Sequence, residues 1–98
     1  MKRLNRHDES KRALDEAYRT FEAVRDQNPQ DAGAWNGLGS IYLLRRNPEK
    51  ALQYINIALQ ISPNYQDAKI DRNTALQLIN DKNANIGFIS KKGVQPIE

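Results

Sequence analysis

The sequence predicts an all-α protein of about four helices, arranged as antiparallel helix hairpins of the superhelical, solenoid type and followed by an irregular C-terminal tail. Apolar residues recur at spacings of three and four along most of the chain, which is the period of an amphipathic helix. Clusters of proline and asparagine at residues 27–31, 46–50 and 62–67 interrupt this period and predict short turns. The chain also resembles itself at a shift of 34 residues, as stacked helical repeats do.

The first two predicted helices cover residues 9–27 and 32–45. The first carries a single apolar stripe, which consists of Leu14, Ala17, Phe21 and Val24. Upstream of Leu14, polar residues occupy the positions that would continue the stripe. No glycine or proline separates these positions from it. The sequence therefore leaves open whether residues 3–27 form one helix or a hairpin.

The next two predicted helices cover residues 48–61 and 66–80. Asn47 is a suitable N-cap, and Pro48 occupies the first helical position, where its missing N–H costs nothing. The tail, residues 81–98, contains helix-breaking Gly87, Gly93 and Pro96. We expect it to be irregular, either as an arm with a short hairpin at residues 90–93 or as an unstructured terminus.

Among the aromatic residues, we expect Phe21, Trp35 and Tyr42 in the core. The remaining tyrosines are expected to pack between helices, and these are Tyr18, Tyr54 and Tyr65.

Composition excludes several classes of function. The 98 residues suffice for one domain, and without cysteine there is neither a disulfide nor a thiolate metal site. The only histidine, His7, lacks partners for a metal site or a catalytic triad. The glycines of residues 34–42 lack the preceding strand and the Gly-Lys-Ser ending of a phosphate-binding loop. These features predict a non-enzyme with no cofactor and no small-molecule substrate.

Charge and hydropathy indicate whether the chain binds nucleic acid or spans a membrane. The net charge is +3, but the basic residues are spread along the chain, which argues against nucleic-acid binding. No apolar run is long enough to span a membrane, and the first residues lack the apolar region of a signal peptide. We therefore expect a cytoplasmic protein, unless a signal preceded this sequence in a longer parent chain.

The 34-residue shift superposes residues of similar size or role: Ala17 on Ala51, Phe21 on Ile55, Pro29 on Pro63, and Ala34 on Ala68. Within one period, the sequence follows the pattern W-x2-L-G-x2-Y and then Ala, Ile, Ala and Pro, at Trp35, Leu38, Gly39, Tyr42, Ala51, Ile55, Ala58 and Pro63. In these positions the chain resembles the tetratricopeptide repeat family. The resemblance divides residues 1–80 into a partial preceding repeat at 9–31, a full repeat at 32–65 and a capping helix at 66–80. The tail at 81–98 matches nothing in the pattern.

The resemblance implies tight helix hairpins with a concave wall that binds a peptide or protein. Gly39 is expected where the two helices of a hairpin cross, while Gly37 is expected at an exposed or a neighbour-facing position. The expected groove residues are hydrogen-bonding Asn36, Ser40, Thr74 and Gln77, and apolar Leu43 and Ile70. They lack the lysine and arginine with which one subtype of the family clamps a peptide's terminal carboxylate.

The leading hypothesis is therefore a non-catalytic adaptor for a protein or peptide partner. A second hypothesis is an accessory or assembly domain of a larger enzyme or secretion-related protein, and a third is a helical module that binds nucleic acid. Because so few repeats leave the Leu14 stripe open, self-association into a homo-oligomer is a further possibility.

Overall fold

The computed structural model describes the backbone of residues 6–91 and the side chains of residues 8–84. It contains four helices: α1 (Arg6–Gln27), α2 (Ala32–Leu44), α3 (Pro48–Ile61) and α4 (Gln66–Lys91). Residues 6–91 contain no strand. The structure thus confirms the all-α helix-hairpin fold.

The turns follow the chemistry that the sequence predicts. Asp31 caps α2 by accepting a hydrogen bond from the backbone N–H of Ala34 at 3.1 Å. Asn47 caps α3 in the same way through the N–H of Lys50 at 3.2 Å, and Pro48 begins the helix. Capping of this kind satisfies backbone donors that the first turn leaves without helical partners.

The end of α2 has a Schellman motif, in which the chain reverses through one left-handed residue. Arg46 is that residue, with φ of 63°. Its N–H donates to the carbonyl oxygen of Leu43 at 3.0 Å, and the N–H of Asn47 donates to that of Tyr42 at 2.9 Å. Glycine is the usual residue here, because a side chain at positive φ is strained.

The start of α1 settles an alternative that the sequence left open, and the end of α4 corrects an expected helix boundary. Helix α1 is one continuous helix from Arg6, so the polar residues before Leu14 do not form a hairpin. Helix α4 continues to Lys91. The expected end of the helix at residue 80 was therefore wrong, and residues 81–91 are helical where an irregular segment was expected. A lone glycine such as Gly87 costs a helix only about 1 kcal/mol, and without a following proline it need not end one. Residues 92–98, with Gly93 and Pro96, lie outside the described part of the chain.

Helix α2 lies at the centre of the molecule and packs against α1, α3 and α4, while α3 also packs against α4. The fully buried apolar residues are Leu38, Ala51, Ile55, Ala58, Ala68 and Ala75. Most of them are alanines, whose small side chains let neighbouring helices approach closely.

The two glycines of α2 each accommodate a neighbour. A Cβ at Gly39 would lie 2.6 Å from Cγ1 of Ile55 and 3.1 Å from the carbonyl oxygen of Ala51, which confirms that α2 and α3 meet there. A Cβ at Gly37 would lie 2.5 Å from the ring of Phe21. Gly37 is buried and therefore faces a neighbouring helix, α1, rather than solvent.

The aromatic residues form a row across three helices rather than a closed core. Tyr42 packs edge to face on Tyr18 with ring centroids 5.8 Å apart, and stacks on Tyr54 at 5.4 Å. Trp35 lies 5.8 Å from Tyr54, and its indole N–H donates to the carbonyl oxygen of Pro29 at 2.7 Å. Trp35, Tyr42 and Phe21 are partly buried. Trp35 and Tyr42 pack against the buried core cluster, and Phe21 packs on Gly37.

Candidate functional site

Two adjoining grooves run along α2. The α2/α4 groove is lined by Ser40, Leu43, Leu44, Arg46, Asp71, Thr74 and Leu78. The α1/α2 groove has a volume of about 630 Å³ and lies on the other side of the same helix. Ser40 and Leu44 line both grooves, so α2 is the wall that they share.

The α2/α4 groove contains three of the six residues that the sequence places in a binding groove: Ser40, Leu43 and Thr74. Ile70 and Gln77 lie one turn before and after Thr74 on the same face of α4, because residues three and four apart on a helix are neighbours. Ile70 is 59 % exposed, so its apolar side chain is accessible to a ligand at the edge of the groove. Asn36 lies instead in the α1/α2 groove.

The hydroxyl and amide donors of the α2/α4 groove have partners within the chain. Ser40 Oγ donates to Oδ2 of Asp71 at 2.7 Å, which joins the two walls of the groove. Thr74 Oγ1 donates to the carbonyl oxygen of Ile70 at 3.1 Å, and Gln77 Nε2 donates to Asp81 at 3.0 Å. The lone pairs of the two hydroxyls can still accept from a ligand.

Asp71 is a residue that the sequence reasoning missed. Its carboxylate accepts the hydroxyl of Ser40 inside the groove, and Arg46 lines the same groove from the α2–α3 turn. The 34-residue shift superposes Asp71 on Gly37, so the repeat pattern gives no signal for an acid there. An acidic and a basic side chain therefore lie among apolar leucines.

The α1/α2 groove is mainly apolar and is formed by the Leu14 stripe of α1 and the facing side of α2. Asn36 is its polar exception. The residue is 6 % exposed, and among the described residues its side-chain oxygen Oδ1 has no hydrogen-bond donor. A buried amide oxygen without a donor costs about 1–3 kcal/mol relative to one that is paired.

Charged residues in a cluster of ion pairs join α1 to the C-terminal end of α2. Asp15 on α1 accepts from Lys11 at 3.3 Å and from Arg45, after the end of α2, at 2.7 Å. The hydrogen bond from Lys11, together with the positive charges of Lys11 and Arg45, lowers the pKa of Asp15 from its ordinary value. The Arg45 guanidinium also lies over the rings of Tyr18 and Tyr42, at 5.2 and 5.8 Å from their centroids. These contacts hold the C-terminal end of α2 against α1.

The described side chains show no grouping of metal-binding type. Residues 8–84 bring together no three His, Asp or Glu side chains in a position to hold a metal ion. Within the same described region, no helix has the length and apolarity that crossing a bilayer requires.

Comparison with known proteins assigns the chain to a family. Residues 2–66, about two thirds of the sequence, match the tetratricopeptide repeat. The chain therefore belongs to the tetratricopeptide repeat family, as its Trp35 to Pro63 pattern and its stacked hairpins predict. Repeats of this family generally mediate protein–protein interaction, and the family is typically non-catalytic. No curated protein matches the chain.

The match begins at residue 2, where a full first repeat would have its own first helix. In the structure, residues 6–13 are instead the first part of α1. The helix that would pack over α1 and α2 in a full repeat is thus not formed by these residues, and the α1/α2 groove stays open beside them.

Proposed function

We propose that this chain is a non-catalytic adaptor that binds a peptide or protein partner through the α2/α4 groove. The observation that carries the proposal is the composition of that groove, in which the leucines Leu43 and Leu78 lie beside Asp71, Arg46 and the hydroxyl of Thr74. Repeats of this family generally mediate protein–protein interaction, which supports a partner for this surface.

The packing of the groove suits binding with little rearrangement. Its walls belong to α2 and α4. Leu43 and Tyr42 of α2 pack against the buried cluster that α3 and α4 form, and the Ser40–Asp71 hydrogen bond joins the two walls. Side chains held by packing lose little entropy when a ligand binds, which favours affinity. Exposed Ile70 adds an apolar contact at the edge.

The proposed contacts are apolar at Leu43 and Ile70 and polar at Ser40, Thr74 and Gln77. Asn36, in the adjoining α1/α2 groove, extends the polar contacts along α2. A segment with one or two apolar side chains and free backbone amides fits this arrangement, because hydroxyl and amide oxygens accept from backbone N–H groups.

The test is selection from a random peptide library displayed on phage, followed by affinity measurements on two matched variants. Ile70→Glu places a charge on the proposed binding face, whereas Leu76→Glu places the same charge at another exposed leucine of α4 that lines neither groove. We expect selected peptides to bind wild type and Leu76→Glu alike, and Ile70→Glu at least about tenfold more weakly, since the charge replaces an apolar contact. Equal affinities for the two variants would refute the assignment of the groove.

A further inference from the structure

The backbone of Arg46 has an unusual conformation for a residue with a side chain. Its φ of 63° makes it the only residue other than glycine at positive φ in the described part of the chain. This conformation is strained in residues that have a Cβ, and arginine lacks the short polar side chain with which asparagine relieves the strain. Retained strain of this kind is frequent at binding sites, which makes Arg46 a candidate for contact with a ligand.

The charge of Arg46 is uncompensated within the described structure, in contrast to that of Arg45. The Arg45 guanidinium pairs with Asp15 at 2.7 Å and lies over the rings of Tyr18 and Tyr42. The side chain of Arg46 is exposed, and it makes no ion pair, hydrogen bond or ring contact with any residue from 8 to 84. Its guanidinium N–H donors are therefore available to a ligand.

A small pocket adjoins the α2/α4 groove at Arg46 and Leu78, which line both cavities. The pocket has a volume of about 180 Å³, and Pro48 and Lys82 complete its lining. Both charged residues of the lining are basic, although Lys82 Nζ also pairs with Oε2 of Glu49 at 2.8 Å. Pro48 is the first residue of α3, so the positive end of that helix's dipole adds to the positive potential. The pocket therefore suits an anionic group carried on an apolar stem.

The groove beside this pocket favours a ligand with one negative charge near Arg46. Asp71 lies seven residues before Leu78, about 10 Å back along α4, and its carboxylate accepts from Ser40. A second acid of the ligand near Asp71 would be repelled. A phosphate group carries up to two negative charges and is usually bound by several arginines, whereas this site has one unpaired arginine. A carboxylate matches a single guanidinium, with which it can form two parallel hydrogen bonds.

We propose that Arg46 forms an anion pocket for the side-chain carboxylate of an aspartate or glutamate in the partner segment that occupies the α2/α4 groove. Lys82 adds positive charge to the pocket, and the apolar neighbours of the acid contact Leu43 and Leu78. The inference rests on the adaptor function proposed above and specifies the chemistry of the partner. It also gives the strained conformation of Arg46 a purpose, since a ligand contact offsets its cost in stability.

The probe is a library of random peptides displayed on phage and fused to the coat protein through their C-termini. It is selected in parallel on wild type and on Arg46→Gly, and both outputs are sequenced. Because the fusion removes the terminal carboxylate, any acid that is enriched acts through its side chain. We expect wild type to enrich peptides with one aspartate or glutamate beside an apolar residue. We expect Arg46→Gly to lose this preference.

Arg46→Gly separates a loss of binding from a loss of folding. Glycine suits the left-handed conformation, so the variant should unfold in urea at a concentration no lower than wild type does. Two further variants serve as controls. Arg46→Lys keeps the charge and should retain part of the preference for acids. Arg72→Gln removes an exposed positive charge of α4 that lines neither the groove nor the pocket, and it should bind as wild type does.

A double-mutant cycle tests the pairing directly. The acidic peptide most enriched on wild type is synthesised with both ends blocked, and its acid is replaced by the corresponding amide in a second peptide. The replacement should weaken binding to wild type about three- to tenfold, the range for an exposed charged pair. It should leave binding to Arg46→Gly unchanged. Added salt should weaken the acidic peptide's binding to wild type more than its binding to Arg46→Gly.

The outcomes distinguish the pocket from the groove. If wild type selects no peptide, the adaptor function fails and the anion pocket fails with it. If the selected peptides lack an acid, or Arg46→Gly prefers acids equally, the pocket is wrong while the groove stands. Equal weakening by Arg46→Gly and Arg72→Gln would assign the effect to overall charge and overturn the pocket. A peptide with phosphoserine in place of the acid that binds wild type more tightly would overturn the choice of a carboxylate.

Discussion

Replacing Gly39 with alanine tests the central packing of the fold. The added Cβ would lie 2.6 Å from Cγ1 of Ile55 and 3.1 Å from the backbone carbonyl oxygen of Ala51. Real Cβ atoms do not approach so closely, so α2 and α3 must separate or Ile55 must change rotamer. Ile55 is 0 % exposed, and the oxygen belongs to the backbone of α3, so neither has free space to enter.

The magnitude follows from two opposing effects. Overpacking a dense core costs about 1–3 kcal/mol, and this close contact with fixed atoms places Gly39 in the upper part of that range. Alanine recovers about 1 kcal/mol through its better helix propensity. We expect the free energy of unfolding to fall by about 1–2 kcal/mol, which for a domain of this size lowers the melting temperature by about 5–15 °C.

The assay is urea and thermal unfolding followed by far-UV circular dichroism, with Gly33→Ala as the control on the same helix. A Cβ at Gly33 would meet only side-chain atoms. The Tyr65 hydroxyl at 3.7 Å is in ordinary contact, and Asp31 Oδ1 at 3.1 Å, which caps Ala34, has to shift by only a few tenths of an ångström. We expect the control to remain within about 0.5 kcal/mol of wild type. If Gly39→Ala proved as stable as Gly33→Ala, the close approach of α2 and α3 would not be the reason for glycine at position 39.

Two further predictions concern the turn after α2 and the tyrosine pair. Arg46→Gly should stabilise the protein by about 0.5–1 kcal/mol in urea unfolding, because relief of a left-handed side chain exceeds the added flexibility of the unfolded chain; an unchanged or lower stability would contradict this. The hydrogen bond to the Tyr42 hydroxyl at 3.3 Å, with burial and nearby Tyr54, raises the pKa of Tyr18 above its ordinary value of 10.0. Because Tyr18 of the unfolded chain then ionises at a lower pH than Tyr18 of the folded chain, the hydroxyl contributes its full stabilisation below pH 10. This contribution to the free energy of unfolding is lost as the pH rises beyond that value. In Tyr18→Phe, the free energy of unfolding should fall less steeply above pH 10 than it does in wild type. Urea unfolding measured across pH checks this, and identical pH profiles for the two proteins would refute it.

Much of the fold was predictable because local signals agreed with the repeat pattern. The Asp31 and Asn47 positions precede their helices by the spacing that capping needs, and Pro48 begins α3 as expected. The Trp35-x2-Leu-Gly-x2-Tyr spacing placed Gly39 at a helix crossing, and the structure confirms it. Each of these depends on neighbours in sequence or on one hairpin.

The extent of α4 was not predictable in the same way. Gly87 and the change of composition after residue 80 suggested an irregular tail, but the helix continues to Lys91. A single glycine weakens a helix without ending it, so local signals alone do not decide such a boundary.

The candidate site was predicted only in part. The sequence placed Ser40, Leu43 and Thr74 in a binding groove, and these three residues line one groove of the structure. Their hydrogen-bond partners were not predicted. Asp71 became part of the site through a hydrogen bond between residues 31 apart in sequence, and Asn36 became buried in the other groove. Such pairings depend on how α4 and α1 pack against α2.

The sequence by itself determined the helices, their turns and the family, because capping, periodicity and a 34-residue repeat act within short stretches of chain. Only the tertiary structure decided which residues lack neighbours. It leaves the Leu14 stripe beside an open groove, covers Gly37 with Phe21 and buries the Asn36 amide oxygen without a donor. Burial and hydrogen-bond satisfaction belong to the packed helices together, so no single segment of the sequence specifies them.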